Sequence, residues 1–467
     1  MSYVTLPETR STASVDMADI ALCLLFLIGI YLGIALPLPG GIPLPAVLAG
    51  LAGLLLLARH VAAVRSNHAL TAGCALAAAF FSVLFSAEVT LIGEKFKGFV
   101  QLTYSLMVAF GFFLAARRYT RRSFAAVFLV LTMTILTGSA LETFVPAMKA
   151  VSDAFRGFVF DAGVYSADQR DLALYGRVRP KFFTSEPSFI AFGYTLFAFC
   201  WYVLSRQAGK IVCYVALLAM GYFLIRGPTI LLGLALIPIY EIFLASRRRM
   251  NAGHARLDLS RAAVAAVATC LLVGFGVLIG WEVLEPRIEG IISGRDPSFF
   301  ARILAPSLIA RDVLIQFPIA GVGLTGWEVL EERIVQLYAT TDHLAYDVQF
   351  DGASQSLTNY FWSLWIFMGL FGGLAFVIAM SCLLRHLGVP SLAFCWGVWI
   401  VFGQAAGGFV TPRTWAVLVL AALISVLHEK RRRLPGQVPR RLVLPAEPHF
   451  ALPSPGHRPS HPGGMSR

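Results

Sequence analysis

The chain alternates long, nearly uncharged apolar runs with short polar breaks. A helix needs about 20 predominantly apolar residues to cross a bilayer. On that measure the pattern predicts twelve spans, at roughly 18–36, 43–58, 69–87, 98–116, 123–146, 187–204, 210–225, 228–245, 262–281, 356–384, 390–410 and 412–427. Pro37, Pro39, Gly40 and Gly41 supply the tight turn between the first two. The fold class this implies is all-α: a polytopic integral membrane protein of about twelve transmembrane helices.

The short loops orient the spans. Arg59, Arg65, Arg117, Arg118, Arg121 and Arg122 fall on one side with Arg206, Lys210, Arg247–Arg249, Arg256, Arg261, Arg385 and Lys430–Arg433. Short loops rich in Lys and Arg stay in the cytoplasm, so both termini are expected inside. The expected organisation is a cytoplasmic N-terminus (1–17), a membrane domain (18–427) and a disordered cytoplasmic tail (428–467) rich in Pro, Gly, Arg and His. Two long segments, about 147–186 and 282–355, are then left outside, in the periplasm.

The first outer segment ends in the run Gly176 to Ile190, where a basic polar stretch meets the apolar run Phe189–Leu204. Pro187 suits the first helical position, because its missing N–H has no partner to lose there. Thr184, Ser185 or Glu186 can cap that helix. One carboxylate, Glu186, and three cations, Arg177, Arg179 and Lys181, thus gather at the mouth of a span. Arginines beside a membrane face suit a phosphate or diphosphate ligand. The bland alternative is a solvated loop whose cations pair with Asp153, Asp161, Asp168, Glu289 and Asp296. In the second segment, Ser298–Phe317 mixes apolar and basic residues at helical spacing, and Trp327, Leu330, Ile334 and Tyr338 share a helical face. Both read as amphipathic helices lying on the outer membrane face. Between them Pro318-Ile319-Ala320-Gly321-Val322-Gly323 reads as a turn that approaches other backbone closely.

Composition agrees. Of 467 residues 57% are hydrophobic and 14% charged, with mean hydropathy +0.73, which excludes a soluble globular domain. The net charge of +12 lies largely in short loops and the tail and does not point to nucleic acid. All seven cysteines fall in apolar runs, so neither a disulfide nor a metal cluster is expected. No His/Asp cluster has ligand spacing, and no metal or cofactor is predicted.

Three motifs in order resemble bacterial O-antigen and exopolysaccharide polymerases (Wzy-type) and the related O-antigen ligases. They are Arg179 through Ser185-Glu186-Pro187-Ser188, then Arg226-Gly227 with Ile225 where the family has serine, then Arg302 followed by Pro318-x-x-Gly321-x-Gly323. Ligases carry His-Asn, nine residues, then Gly-x-x-Gly. Here Asn359 and Gly369-x-x-Gly372 keep that spacing, but Thr358 replaces the histidine. The departure favours a polymerase; His343 on the preceding loop keeps the ligase as the alternative.

The resemblance implies a GT-C-like glycosyltransferase that joins polyprenyl-diphosphate-linked oligosaccharide, as donor and as acceptor, at the periplasmic face of the inner membrane. It implies no nucleotide sugar, and partners among chain-length and export machinery. Glu186 and Arg302 are the expected catalytic pair: a base or orienting group for the acceptor hydroxyl, and a guanidinium for the diphosphate leaving group. Arg179, Lys181, Arg226, Arg311 and Asn359 are expected at the substrate. Arg302 and Arg311, nine residues apart, reach one diphosphate only if Pro306 bends their helix. A flippase or carrier is the rival of another class, yet carriers place their long loop inside and a charged pair at mid-span, and neither is read here.

The topology is testable by single-cysteine labelling with an impermeant reagent in a cysteine-free background. A cysteine at Ser293 should label in cells whose inner membrane is intact, and one in the Arg117–Arg122 loop should not. Labelling at Ser293 only after the membrane is opened overturns the orientation.

Overall fold

The computed structural model describes residues 16–38, 42–160, 168–246, 289, 296–341 and 356–429. In chain order the helices are α1 (Met17–Leu32), α2 (Val47–Arg59), α3 (Ser66–Phe85), α4 (Ile92–Ala116), α5 (Arg121–Phe144), α6 (Pro146–Val159), α7 (Asp168–Tyr175), α8 (Pro187–Leu204), α9 (Lys210–Ile225), α10 (Leu232–Tyr240), α11 (Ala305–Gln316), α12 (Glu331–Thr340), α13 (Tyr360–His386), α14 (Leu392–Gly403) and α15 (Pro412–Glu429). Between α1 and α2, β1 (Leu36–Leu38) pairs antiparallel with β2 (Ile42–Leu44), Leu36 facing Leu44. Among the described residues seven segments are long and apolar enough to cross a membrane; they contain α3, α4, α5, α8, α10, α13 and α15. Shorter apolar helices are α1, α2, α9 and α14. The chain is an all-α polytopic membrane protein. The expected span at 262–281, the Arg247–Arg261 loop and the tail from 430 lie outside the described residues. The span expected at 390–410 is shorter as a helix: α14 stops at Gly403, and Gln404–Thr411 turns back toward α15.

Polar contacts sort the helix ends onto two faces. On one, Arg59 meets Asp16 and Asp19, His60 meets Asp19 and Arg118, and Arg121 donates to the carbonyls of Val203, Leu204 and Ser205 at the end of α8. On the other, the Tyr31 hydroxyl donates to Phe182, Gln101 to Pro43, and Thr325 to Glu94. The second face carries the site and is called the site face below. Small residues let the helices approach in between: a side chain at Gly111 of α4 would collide with the Gly53 carbonyl of α2.

α13 is broken. Gly369 has φ 64° and ψ −173°, a conformation open essentially to glycine alone. Nine residues after Tyr360, the break lies roughly 14 Å along the helix from its start. It frees the carbonyls of Ile366 and Phe367 and the N–H groups of Leu370, Phe371 and Gly372. The turn after α11 takes up all five. Val322 and Gly323 donate to Ile366 and Phe367, Leu370 and Phe371 donate to Pro318, and Gly372 donates to Ile319, at 2.8–3.1 Å. Gly321, at φ 64°, sits so close that a Cβ would lie 2.6 Å from the Gly369 nitrogen. The glycine-rich turn read from the sequence is therefore a plug in a helix break.

The helices flanking this turn correct one expectation. α12 does not lay its apolar face on the membrane. Leu330, Ile334 and Tyr338 are buried, Tyr338 stacks edge-on to Phe300, and Trp327 stacks on Phe367 of α13. That stripe is consumed inside the protein. α11 is the helix with exposed apolar residues, Leu308 and Ile315, after an exposed Leu304. α6 is inverted: it buries Ser152 and Arg156 and exposes Val151 and Phe158, the arrangement of a helix lying in a bilayer interface.

Gly321→Ala should be destabilising. The αL conformation costs a non-glycine residue roughly 1–2 kcal/mol, and the added methyl meets backbone that cannot swing away. The expected result is a sharp loss of monodisperse protein extracted from membranes, measured by fluorescence-detected gel filtration, against little change for Gly73→Ala on α3, whose Cβ position is open.

Candidate active site

The approach to α8 is built from beneath by one carboxylate. Glu142, buried near the end of α5, accepts the backbone N–H groups of Lys181 and Phe182. Ser152 of α6 accepts from Phe183, and Tyr31 of α1 donates to Phe182. These bonds hold Phe182 and Phe183 at φ 23° and 63°, both unusual for aromatic residues. The Phe182 ring lies over Gly138, where any side chain would collide. Thr184 then closes the turn by donating to the Lys181 and Glu186 carbonyls. The segment before Glu186 is over-determined and fixed.

Glu186 takes the N-cap position of α8 with extended backbone, but its side chain makes no capping bond. The carboxylate instead accepts the Ser188 hydroxyl at 2.7 Å and remains partly exposed. Its electrostatic neighbour is Arg413, the second residue of α15. Arg413 Nε donates to the Ile30 carbonyl at the end of α1, and its guanidinium lies 3.8 Å from the centre of the Phe189 ring. Sequence reasoning missed this residue. The available signal was a cation at the entry of an apolar run, where it opposes the helix dipole.

The cations expected beside Glu186 are already committed. Arg179, 8% exposed, forms an ion pair with Asp171 at 2.8 Å and stacks on Tyr175. Lys181, 4% exposed, pairs with Asp168 at 2.9 Å. Arg156 pairs with Asp153. Arg179 and Lys181, expected at the substrate, are thus ion-paired in this structure and tie the 168–181 segment together. Arg226 closes α9 in the left-handed conformation (φ 53°) and donates to the Tyr175 carbonyl. Arg177 donates to the last carbonyls of α9, Phe223 and Leu224. Burial, with the neighbouring Arg226 charge, pushes the Arg177 pKa down. Both therefore bind α9 to the α7–α8 loop.

Arg302 lies in a π-helical turn, Phe300–Leu304, that leads into α11. Its backbone is fixed by Asn359, whose amide donates to the Arg302 carbonyl at 2.7 Å and to Gln404 at 3.0 Å. The other end of the Asn359 amide caps α13 through Trp362, and the residue is fully buried. Asn359, expected at the substrate, is thus engaged on both sides of its amide with protein groups. The adjacent Thr358 N–H donates to Ala301, and Tyr360 to Ala406. Arg302 and Arg311 are not brought together. Arg311 is exposed, on the face of α11 opposite the buried Ala305, Ile309 and Val313. Pro306 lies where the π-helical turn Phe300–Leu304 passes into α11.

Two groupings result: Glu186, Ser188 and Arg413 around the start of α8, and Arg302, Asn359 and Gln404 around the start of α13. They are joined through α14. Phe192 of α8 contacts Phe402 at 5.1 Å between ring centres, and Gly403 lies against Tyr360 and Phe361. Among the described residues no three His, Cys, Asp or Glu side chains gather as a metal-ligand group.

The profile of the WcaD colanic acid polymerase family matches residues 20–427. The chain belongs to the WcaD colanic acid polymerase family. The match spans the whole described membrane domain, both groupings included. No curated protein and no solved structure matches the chain. Membership supports the polymerase branch of the resemblance: the family's coarse function is polymerisation of polysaccharide repeat units in a membrane.

A strut and a ligand respond differently to paired substitution. Removing one member of a buried ion pair costs roughly 3–5 kcal/mol, and removing both costs far less. Asp171 also accepts the Arg179 backbone N–H, so Arg179→Met should lower the folded yield strongly, and Arg179→Met with Asp171→Asn, which keeps an acceptor for that N–H, should restore most of both yield and polymer. A double variant that is well folded but makes no polymer would return Arg179 to the substrate.

Proposed function

We propose that this WcaD-family chain joins polyprenyl-diphosphate-linked repeat units at the periplasmic face of the bacterial inner membrane. The acceptor sugar hydroxyl attacks the anomeric carbon of the donor glycan. The new glycosidic bond forms as the anomeric C–O bond to the diphosphate breaks, and polyprenyl diphosphate leaves with its electron pair. Glu186 receives or orients the proton of the hydroxyl. Arg302 stabilises charge developing on the diphosphate. The architecture this requires is GT-C-like, with the site at the outer ends of the spans and both chain termini in the cytoplasm.

The observation that carries the reading is the Glu186 carboxylate. It stands at the mouth of a span on a rigid turn, and among the described residues it makes neither a helix-cap bond nor a salt bridge. A carboxylate kept partly exposed in that position is available to a hydroxyl. The alternative products, a glycan transferred to another acceptor or a translocated one, are distinguished by the same assay.

The test is reconstitution of the purified chain with a defined polyprenyl-diphosphate-linked repeat unit in excess chelator. Wild type should form polymer and release polyprenyl diphosphate. Glu186→Gln should lower turnover by roughly two to four orders of magnitude if the carboxylate takes the proton, with unchanged protein level. Arg302→Lys keeps the charge, loses the planar fork, and should remain impaired. Wild-type polymer from both variants removes this site. Activity lost in chelator and restored by a divalent cation removes the metal-independent mechanism.

A further inference from the structure

Arg413 is the cation the site does not use up. Arg179, Lys181 and Arg156 face carboxylates, and Arg177 and Arg226 face helix-end carbonyls. Arg413 spends Nε on Ile30 and its flat face on Phe189. Among the described residues its two terminal nitrogens have no protein acceptor, and Nη2 packs against Gly33 at the end of α1. Glu186 acts on it through space only, and that carboxylate already has the Ser188 hydroxyl.

The position is also electrostatically expensive without a counter-anion. Arg413 is the second residue of α15, so it adds positive charge to the positive end of a helix dipole. The starts of α8 and α15 both lie here, for Arg413 stacks on the first turn of α8. A cation that merely anchors a span to the interface sits more comfortably at a helix C-terminus. Two helix starts and a guanidinium whose terminal nitrogens lack an acceptor among the described residues make a site for a multiply charged oxyanion.

The geometry points to Arg413 as the residue that grips a phosphoryl group of the lipid-linked substrate, its two terminal nitrogens donating to phosphoryl oxygens beside Glu186. This rests on the polymerase reading above and adds to it a binding residue on the last span. The ligand chemistry is a phosphate ester at the membrane surface. It has two sources, the diphosphate of the lipid carrier and the headgroup phosphate of an anionic bilayer lipid. The neighbouring carboxylate selects between them, because a carrier brings a sugar hydroxyl to Glu186 along with its charge.

The experiment places full-length protein in nanodiscs of phosphatidylcholine, with or without phosphatidylglycerol, and titrates sugar-free polyprenyl diphosphate. Wild type should bind in both bilayers. Arg413→Gln should weaken binding by roughly 10- to 100-fold, the scale of a lost charge-assisted pair. Arg413→Lys should weaken it less, and should raise KM more than it lowers kcat in polymerisation. The thermal midpoint of Arg413→Lys should match wild type, which keeps the test valid if Arg413→Gln folds poorly. Wild-type affinity in both variants overturns the inference. So does an effect that appears only as lost dependence on phosphatidylglycerol, which makes Arg413 a headgroup anchor. Folded wild-type protein that does not bind the diphosphate at all overturns the polymerase site itself, and the inference with it.

Discussion

Five backbone hydrogen bonds at the break in α13 hold the rest of the site in place. Within a bilayer, backbone polar groups must be satisfied by protein, and each one left bare costs several kcal/mol. A helix broken at Gly369 is tolerable only with another segment inserted, and Pro318–Gly323 is that segment. Because it is pinned, so are its neighbours. α11 enters it through Phe317, and the Trp327–Thr340 helical segment leaves it. Thr325 reaches Glu94 at the start of α4, and Gly323 lies against Lys95 and Ser86. The outer segment carrying Arg302 is thereby fastened to α3, α4 and α13 and is not a free loop.

The same constraint accounts for the pairing of the cations on the approach to α8. The turn into α8 runs along the ends of α5, α6 and α9, where loose backbone groups and charges meet a low dielectric. Glu142 satisfies two N–H groups there, and the aspartates of α7 neutralise Arg179 and Lys181. Arg177 occupies carbonyls that α9 leaves open at its end, and Arg226 occupies the Tyr175 carbonyl at the end of α7. A charge brought to this boundary is costly until it is paired, so the segment folds by pairing nearly everything it carries. What remains open, Glu186 and Arg413, stands out against that background.

Much of the fold was legible in the sequence, because span helices are marked by length, proline and flanking charge. α8 begins at Pro187 and ends at Leu204 as its residues predict, and the Lys210–Ile225 and Pro228–Ala245 helices follow the same rule. The site was less legible. Spacing announced a glycine turn that approaches backbone, but its partner, forty-odd residues on, is fixed by tertiary pairing that periodicity does not encode. Asp171 was not among the acids considered for Arg179, since only the fold of 168–181 brings them together. Pro306 was read as a possible bend between Arg302 and Arg311, and it lies at the junction of a π-helical turn with α11, a local feature that spacing alone does not announce. Arg413 was passed over because, next to Pro412, it reads as the ordinary polar edge of a span.

The Asn359 spacing shared with ligases acquires a physical meaning in this geometry. Asn359 caps α13 and holds the Arg302 backbone, and Gly369 is the break that receives the plug. Both ends of that spacing therefore position the arginine segment, one at the carbonyl of Arg302 and one through the turn after α11. A spacing that serves to seat a shared outer segment can persist in enzymes with different acceptors. The residue before the asparagine, Thr358 here, is then free to differ: its N–H is tied to Ala301 whatever side chain it bears. The scaffold accounts for what polymerase and ligase share, and the chemistry that separates them belongs to the few side chains the scaffold leaves unspent.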